Sequence, residues 1–286
     1  MTPTSSSHTL LMNKIMSLSM ANRMYEPMLF NNNYVLELIE LEFIKLDGRK
    51  VNPDLLLKNE TLNRLLFVEC KDGSLEPDQA NRYKEMAMED IIVAKLISNL
   101  SEESKHEITY IATDKKVEKL KIGMDKESLV FPILVSKDSI ISLHHNHFDC
   151  GVLQEIFSRG VSSKRYSDTL YPFGADDSDA YILHRLVPAL LSFIGGEFDP
   201  KDLLEKTFPR VYSIIGRPAQ KELAGRIGHI LEKAEKDKIL SDFFITAVEK
   251  KFKLRAGGIR KLNNALNKYI NGKLGSGSAQ VDFSRF

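Results

Sequence analysis

Cysteine is scarce in this 286-residue chain, with Cys70 and Cys150 the whole supply. Two thiols exclude a disulfide scaffold and fit a reducing, cytoplasmic compartment. Long apolar runs are missing too. A membrane span needs about 20 apolar residues, yet the best stretch, "AYILHRLVPALLSFIGG", carries His184, Arg185 and Pro188 and reads as a buried helix. No membrane partner is expected. The start, "MTPTSSSHTLLMNKIMSLSMANR", has no basic segment ahead of its apolar part and no small-residue cleavage site, which argues against a secretory signal. Leu11, Ile15 and Leu18 there suggest an amphipathic helix. The glycine pairs at 195–196 and 257–258 make no phosphate-binding fingerprint, so no nucleotide cofactor is expected. "HHNHFDC" holds His144, His145, His147, Asp149 and Cys150, but no second Cys/His pair follows at finger spacing. A surface turn is the simpler reading there than a zinc site.

What is present is an ordinary globular composition, 43% hydrophobic and 28% charged, over a length that suits one large domain or two smaller ones. The net charge of +1 conceals an asymmetry. Residues 201–275 hold 17 Lys and Arg against 8 Asp and Glu, whereas residues 1–200 hold 22 against 30. Between Lys250 and Lys273 lie eight basic residues and no acidic one. The C-terminal part is therefore expected to touch a polyanion, a solvated helical face being the alternative.

The order of elements points to an α/β fold. "YVLELIELEFIKL" reads as a strand, a helix being the alternative, and Asp47–Gly48 as a hairpin turn leading into "RKVNPDLLLK". "LLFVECK" is apolar enough for a sheet centre. "SLEPDQANRYKEMAMEDIIVAKLIS" reads as one helix with Pro77 in its first turn, followed by the strands "HEITYIAT" and "LVFPILVS". A Ser-, Gly- and Asp-rich linker is expected at 157–179, separating a domain at 1–156 from a mainly helical, basic domain at 180–275. There, "DPKDLLEKTF" should start at Asp199 with Pro200 behind it, and "FFITAVEKKFKLR" reads as a strand. Helices followed by a basic strand segment is the order of a winged helix-turn-helix. Residues 276–286 look like a flexible tail.

Charged residues on a buried strand need partners. Glu69 and Lys71 share one face of "LLFVECK" because alternate strand residues point the same way. If the segment around Pro53 pairs antiparallel with it, Asp54 reaches the same end. Two converging carboxylates make a hard oxygen site suited to Mg²⁺ or Mn²⁺, and Lys71 would sit beside the ion. Gln79 and Tyr83 stand one helical turn apart on the next helix.

Pro53-Asp54, fourteen residues, then Glu69-Cys70-Lys71, followed by Gln79-x-x-x-Tyr83, resembles the PD-(D/E)XK nuclease superfamily and its RecB-like branch. The resemblance implies a restriction-endonuclease-like mixed sheet flanked by helices over residues 8–136. It implies metal at Asp54 and Glu69, and catalysis by Asp54, Glu69, Lys71 and Gln79. Many members add a glutamate from the first helix, for which Glu26, Glu37 and Glu40 compete. The expected activity is metal-dependent hydrolysis of DNA phosphodiester bonds, in restriction, phage defence or transposition. Arg217, Lys221 and Arg226 on one helix, with Lys250, Lys251, Lys253 and Arg255 as a wing, are the expected nucleic-acid contacts. A chain without an ATP motif is expected to rely on a partner such as an ATPase or targeting subunit, and a homodimer is allowed. The alternatives are a non-catalytic nuclease-fold adaptor and an RNase on the same fold.

Overall fold

The computed structural model describes residues 4–22, 27–163, 170–241, 244–246, 251–254 and 259–273. The chain forms two compact units, one of residues 10–170 with 214–216, the other of 1–9, 171–213 and 217–286. Glu26, Lys250, Arg255 and the tail at 276–286 lie outside the described residues.

The larger unit is α/β. In chain order it contains α1 (Ser7–Ser19, shared between the units), α2 (Met28–Asn31), β1 (Tyr34–Ile39), β2 (Phe43–Ile44), β3 (Lys50–Val51), β4 (Leu55–Asn59), β5 (Arg64–Lys71), α3 (Pro77–Lys84), α4 (Met88–Val93), β6 (Lys105–Thr113), α5 (Val117–Lys126), β7 (Ile133–Lys137), β8 (Ile140–His145), α6 (Gly151–Arg159) and β9 (Val161–Ser162). Seven strands form one mixed sheet in the order β1-β4-β5-β6-β7-β8-β9. The central β5-β6-β7 run is parallel and both flanks are antiparallel. Leu65 and Phe67 of β5, Ile108, Tyr110 and Ala112 of β6, and Ile133 of β7 alternate onto one face, where Ala80, Tyr83, Ile91, Leu120 and Met124 from α3, α4 and α5 cover them. Lys14 of α1 donates to Ser136 Oγ of β7 and to the Asp138 carbonyl, each at 2.6 Å.

Several sequence expectations need correction. "RKVNPDLLLK" is not one strand: β3 belongs to the hairpin sheet with β2, and the chain breaks at Pro53–Asp54 before β4 enters the large sheet. Proline has no N–H to give a ladder. The long helix is two, because the Asp90 carboxylate accepts from Ala87 N at 2.9 Å and from Leu46 N at 2.8 Å, starting α4 afresh after α3 ends. The linker expected at 157–179 includes packed residues at both ends, Tyr171 and Phe173 being fully buried. Phe157 is fully buried in α6, and β9 pairs with β8. His144 and His145 sit on β8, not in a turn, and meet Glu118 and Asp125 at 2.9 and 3.2 Å. Cys150 is buried at the N-terminus of α6, its Sγ accepting from Tyr34 Oη at 3.2 Å.

The smaller unit holds α7 (Asp179–Leu191), β10 (Glu197–Phe198), α8 (Pro200–Thr207), α9 (Arg217–Lys236), β11 (Phe244–Thr246), β12 (Phe252–Leu254) and α10 (Ile259–Lys273). Asp199 caps α8 through Asp202 N at 2.8 Å, with Pro200 in the first turn as its position dictates. "FFITAVEKKFKLR" contributes two strands. Both join β10 in a three-stranded antiparallel sheet ordered β10-β12-β11.

Candidate active site

The pairing of β4 with β5 builds the site. Leu55 lies opposite Val68, so the same antiparallel register carried one step further sets Asp54 opposite Glu69. Asp54 Oδ2 accepts from Cys70 N at 2.6 Å, which fixes its carboxylate at the end of β5. Its backbone is held from the other side, because Glu40 N donates to the Asp54 carbonyl at 2.6 Å and Leu41 N to the Pro53 carbonyl at 3.1 Å. Glu40 makes that bond from a left-handed conformation (φ 47°), which bends the chain away from the sheet after β1. A single glycine permits the arrangement. Gly216 N donates to the Ile39 carbonyl at 2.8 Å, and a Cβ on Gly216 would stand 2.3 Å from the Glu40 carbonyl oxygen.

Glu69, Lys71, Gln79 and Tyr83 form one closed network. Lys71 Nζ lies 2.9 Å from Glu69 Oε1, 2.9 Å from Glu76 Oε1 and 2.7 Å from Gln79 Oε1. Gln79 Nε2 donates to Tyr83 Oη at 3.2 Å, and Tyr83 Oη donates to Glu69 Oε2 at 2.7 Å. The helix start explains how α3 supplies these groups. Pro77 occupies its first turn, so Glu76 precedes it as the N-cap residue, while Gln79 and Tyr83 follow at one-turn spacing. Glu76 was not anticipated as a Lys71 partner, although an acid at a helix start is the visible signal for it.

The electrostatics are those of a buried site short of positive charge. Burial pushes the Glu69 carboxyl well up and Asp54 adds to it, against the opposing pull of Lys71 and Tyr83. Burial would lower the Lys71 ammonium, but Glu69 and Glu76 outweigh that and hold it above its usual range. The ammonium thus remains charged while one cation serves two carboxylates, Glu69 and Glu76. The Cys70 thiol stays protonated, through burial first and then Asp54 and Glu69, so it is no nucleophile.

Among the competing glutamates, Glu37 is the extra residue of a bulge on β1, where the register to β4 shifts between Leu36 and Leu38. Glu40 lies close enough for its charge to act on Cys70. Among the described residues no group of three Asp, Glu, His or Cys side chains converges well enough to hold an ion, so Asp54 and Glu69 stand as a pair.

The expected nucleic-acid residues divide. Arg217 and Lys221 are exposed on α9, and Lys251 and Lys253 are exposed at β12. Lys253 lies 3.7 Å from Glu197. Arg226 is otherwise occupied. Its guanidinium donates to the Asp177 carbonyl and to Asp179 Oδ1, alongside Lys233 Nζ at 2.9 Å from Asp179 Oδ2. It ties α9 to the start of α7 while remaining partly exposed. Asp177, which the sequence did not single out, is buried and accepts from Thr9 Oγ1 at 2.9 Å and Gly174 N at 2.7 Å.

No curated protein and no solved structure matches the chain. One family model does, over residues 7–171, a span that takes in the whole seven-stranded sheet and all of Asp54, Glu69, Lys71, Gln79 and Tyr83. On that match, covering more than half of its length, the chain belongs to the MJECL32 domain family.

Proposed function

We propose that this chain is a metal-dependent nuclease of the PD-(D/E)XK kind, with a restriction-endonuclease-like sheet, cutting DNA phosphodiester bonds. One observation carries the reading: Asp54, Glu69, Lys71 and Gln79 meet at one end of β5, with the lysine bonded to both the glutamate and the glutamine. The donor set fits a divalent cation. Two oxygen-bearing carboxylates, one of them buried and raised by its neighbour, suit Mg²⁺ or Mn²⁺, which take one or two carboxylates and complete their shell with water and phosphate oxygens. Asp54 and Glu69 would hold the ion, which when bound supplies Lewis-acid chemistry to a phosphodiester.

The chain's own groups do the rest. Lys71, charged and tethered by Glu69, Glu76 and Gln79, neutralises a phosphate beside the carboxylate pair. Tyr83 fixes the Glu69 carboxylate by donating to Oε2, and Gln79 links Tyr83 to Lys71. The smaller unit supports a DNA-holding role. The order α7-β10-α8-α9-β11-β12, with its three-stranded sheet, resembles a winged helix, in which α9 would occupy the recognition position and the strands the wing. Arg217, Lys221, Lys251 and Lys253 are among its exposed cations. A role in microbial restriction, phage defence or transposition, with an ATPase or targeting subunit as partner, belongs to the same proposal.

The test is cleavage of supercoiled and linear plasmid by the purified protein in Mg²⁺ or Mn²⁺, with Asp54→Ala and Lys71→Ala alongside. The proposal expects cation-dependent cutting that both substitutions abolish. Equal activity in the variants would refute it. Cutting of RNA in preference to DNA would move the substrate, and no cutting at all would favour an adaptor.

A further inference from the structure

Among the described residues, one hydroxyl beside the site has no hydrogen-bond partner. Tyr110 of β6 lies level with Glu69 in the parallel β5–β6 register, so the two side chains leave the same face of the sheet. Its ring is fully buried, edge-on to Tyr83 at a centroid distance of 6.2 Å and tilted against Phe131 at 5.7 Å. Its Oη makes no hydrogen bond among the described residues. The neighbouring tyrosine in the same layer, Tyr83, is bonded to Glu69 Oε2 and Gln79 Nε2. Burial first, and then the charges of Glu69, Asp54 and Glu76, keep the Tyr110 phenol protonated, so a donor stands within the field of all three carboxylates. A buried donor left without an acceptor is costly, and phenylalanine would fill the same space without that cost.

We propose that Tyr110 is a positioning residue of the candidate metal site, its hydroxyl donating to a water in the hydration shell of the divalent cation held by Asp54 and Glu69. Such ions keep several waters, and groups that bond the outer shell tune both affinity and orientation. The inference rests on the nuclease reading only in needing a cation at Asp54 and Glu69.

The experiment is calorimetric titration of Mn²⁺ into the full-length wild type, Tyr110→Phe and Asp54→Ala, with melting temperatures measured without metal. Tyr110→Phe should bind Mn²⁺ about 10-fold more weakly. Its metal-free melting temperature should equal or exceed that of wild type, because the variant removes an unpaired buried hydroxyl. Unchanged Mn²⁺ affinity in Tyr110→Phe, beside a wild-type site that Asp54→Ala destroys, would overturn this inference alone. A lower metal-free melting temperature would overturn it too, by showing the hydroxyl already satisfied within the fold. A wild type without any Asp54-dependent Mn²⁺ site would overturn the metal-site reading and this inference together.

Discussion

Replacing Gly216 with alanine should damage a site that this residue does not touch. The added Cβ would stand 2.3 Å from the carbonyl oxygen of Glu40 and 3.3 Å from its carbonyl carbon. These are backbone atoms and cannot swing aside. Contacts under 3.0 Å are essentially never adopted by a real Cβ, so the two segments must part by at least 0.7 Å. Overpacking of that kind costs about 1–3 kcal/mol. For a unit of this size that is a melting-temperature loss of roughly 2–12 °C. The displaced peptide carries the Leu41 N–H that holds the Pro53 carbonyl at 3.1 Å, and it adjoins the Glu40 N–H that holds the Asp54 carbonyl at 2.6 Å, so Asp54 should move and Mn²⁺ affinity should fall with stability. Gly225→Ala is the control. It lies inside α9 with nothing within 4 Å, and it should stabilise by up to about 1 kcal/mol through helix propensity. Thermal melts and Mn²⁺ titration of both variants decide the matter. A Gly216→Ala protein with wild-type melting temperature and affinity would refute the reasoning.

Two further outcomes are expected. Because burial and Asp54 raise Glu69 above its ordinary 4.5, the folded protein retains a proton there that the unfolded chain has lost. Stability of the metal-free protein therefore stands highest below that value and declines as pH rises toward the folded pKa. Glu69→Gln should flatten that slope, and Mn²⁺ affinity in wild type should climb over the same range as the ion displaces the proton. A pH-independent difference between wild type and Glu69→Gln across about pH 5 to 8 would contradict this. Arg226→Ala should lower the melting temperature, losing about 1 kcal/mol from a half-exposed ion pair with Asp179, whereas Lys221→Ala should leave it unchanged. Lys221→Ala should instead weaken DNA binding and reduce its salt slope by about 1, and the reverse pattern would show that the two roles have been exchanged.

The readable parts of the site were those written locally. Strand alternation sets Glu69 and Lys71 on one face, a hairpin brings Asp54 to them, and helical spacing aligns Gln79 with Tyr83. The first two of these depend only on period and pairing, which a sequence displays. The α5 helix was also visible in principle, through Val117, Leu120 and Met124 at helical spacing. Other features depend on distant segments meeting in the fold. Asp90 splits a continuous helical pattern because it caps Ala87 and also serves Leu46, forty-four residues upstream. Arg226 has the look of a surface cation until Asp179 is seen beside it. Glu40 and Gly216 bear on Asp54 only through backbone bonds that no side-chain pattern encodes.

The central claim is that two carboxylates grip one divalent cation. Anomalous diffraction from Mn²⁺-soaked crystals tests it most directly. The expected result is a single strong peak about 2.1 Å from an oxygen of Asp54 and from an oxygen of Glu69, lost in Asp54→Ala. A peak elsewhere, or none at that pair while Mn²⁺ binds in solution, would contradict it.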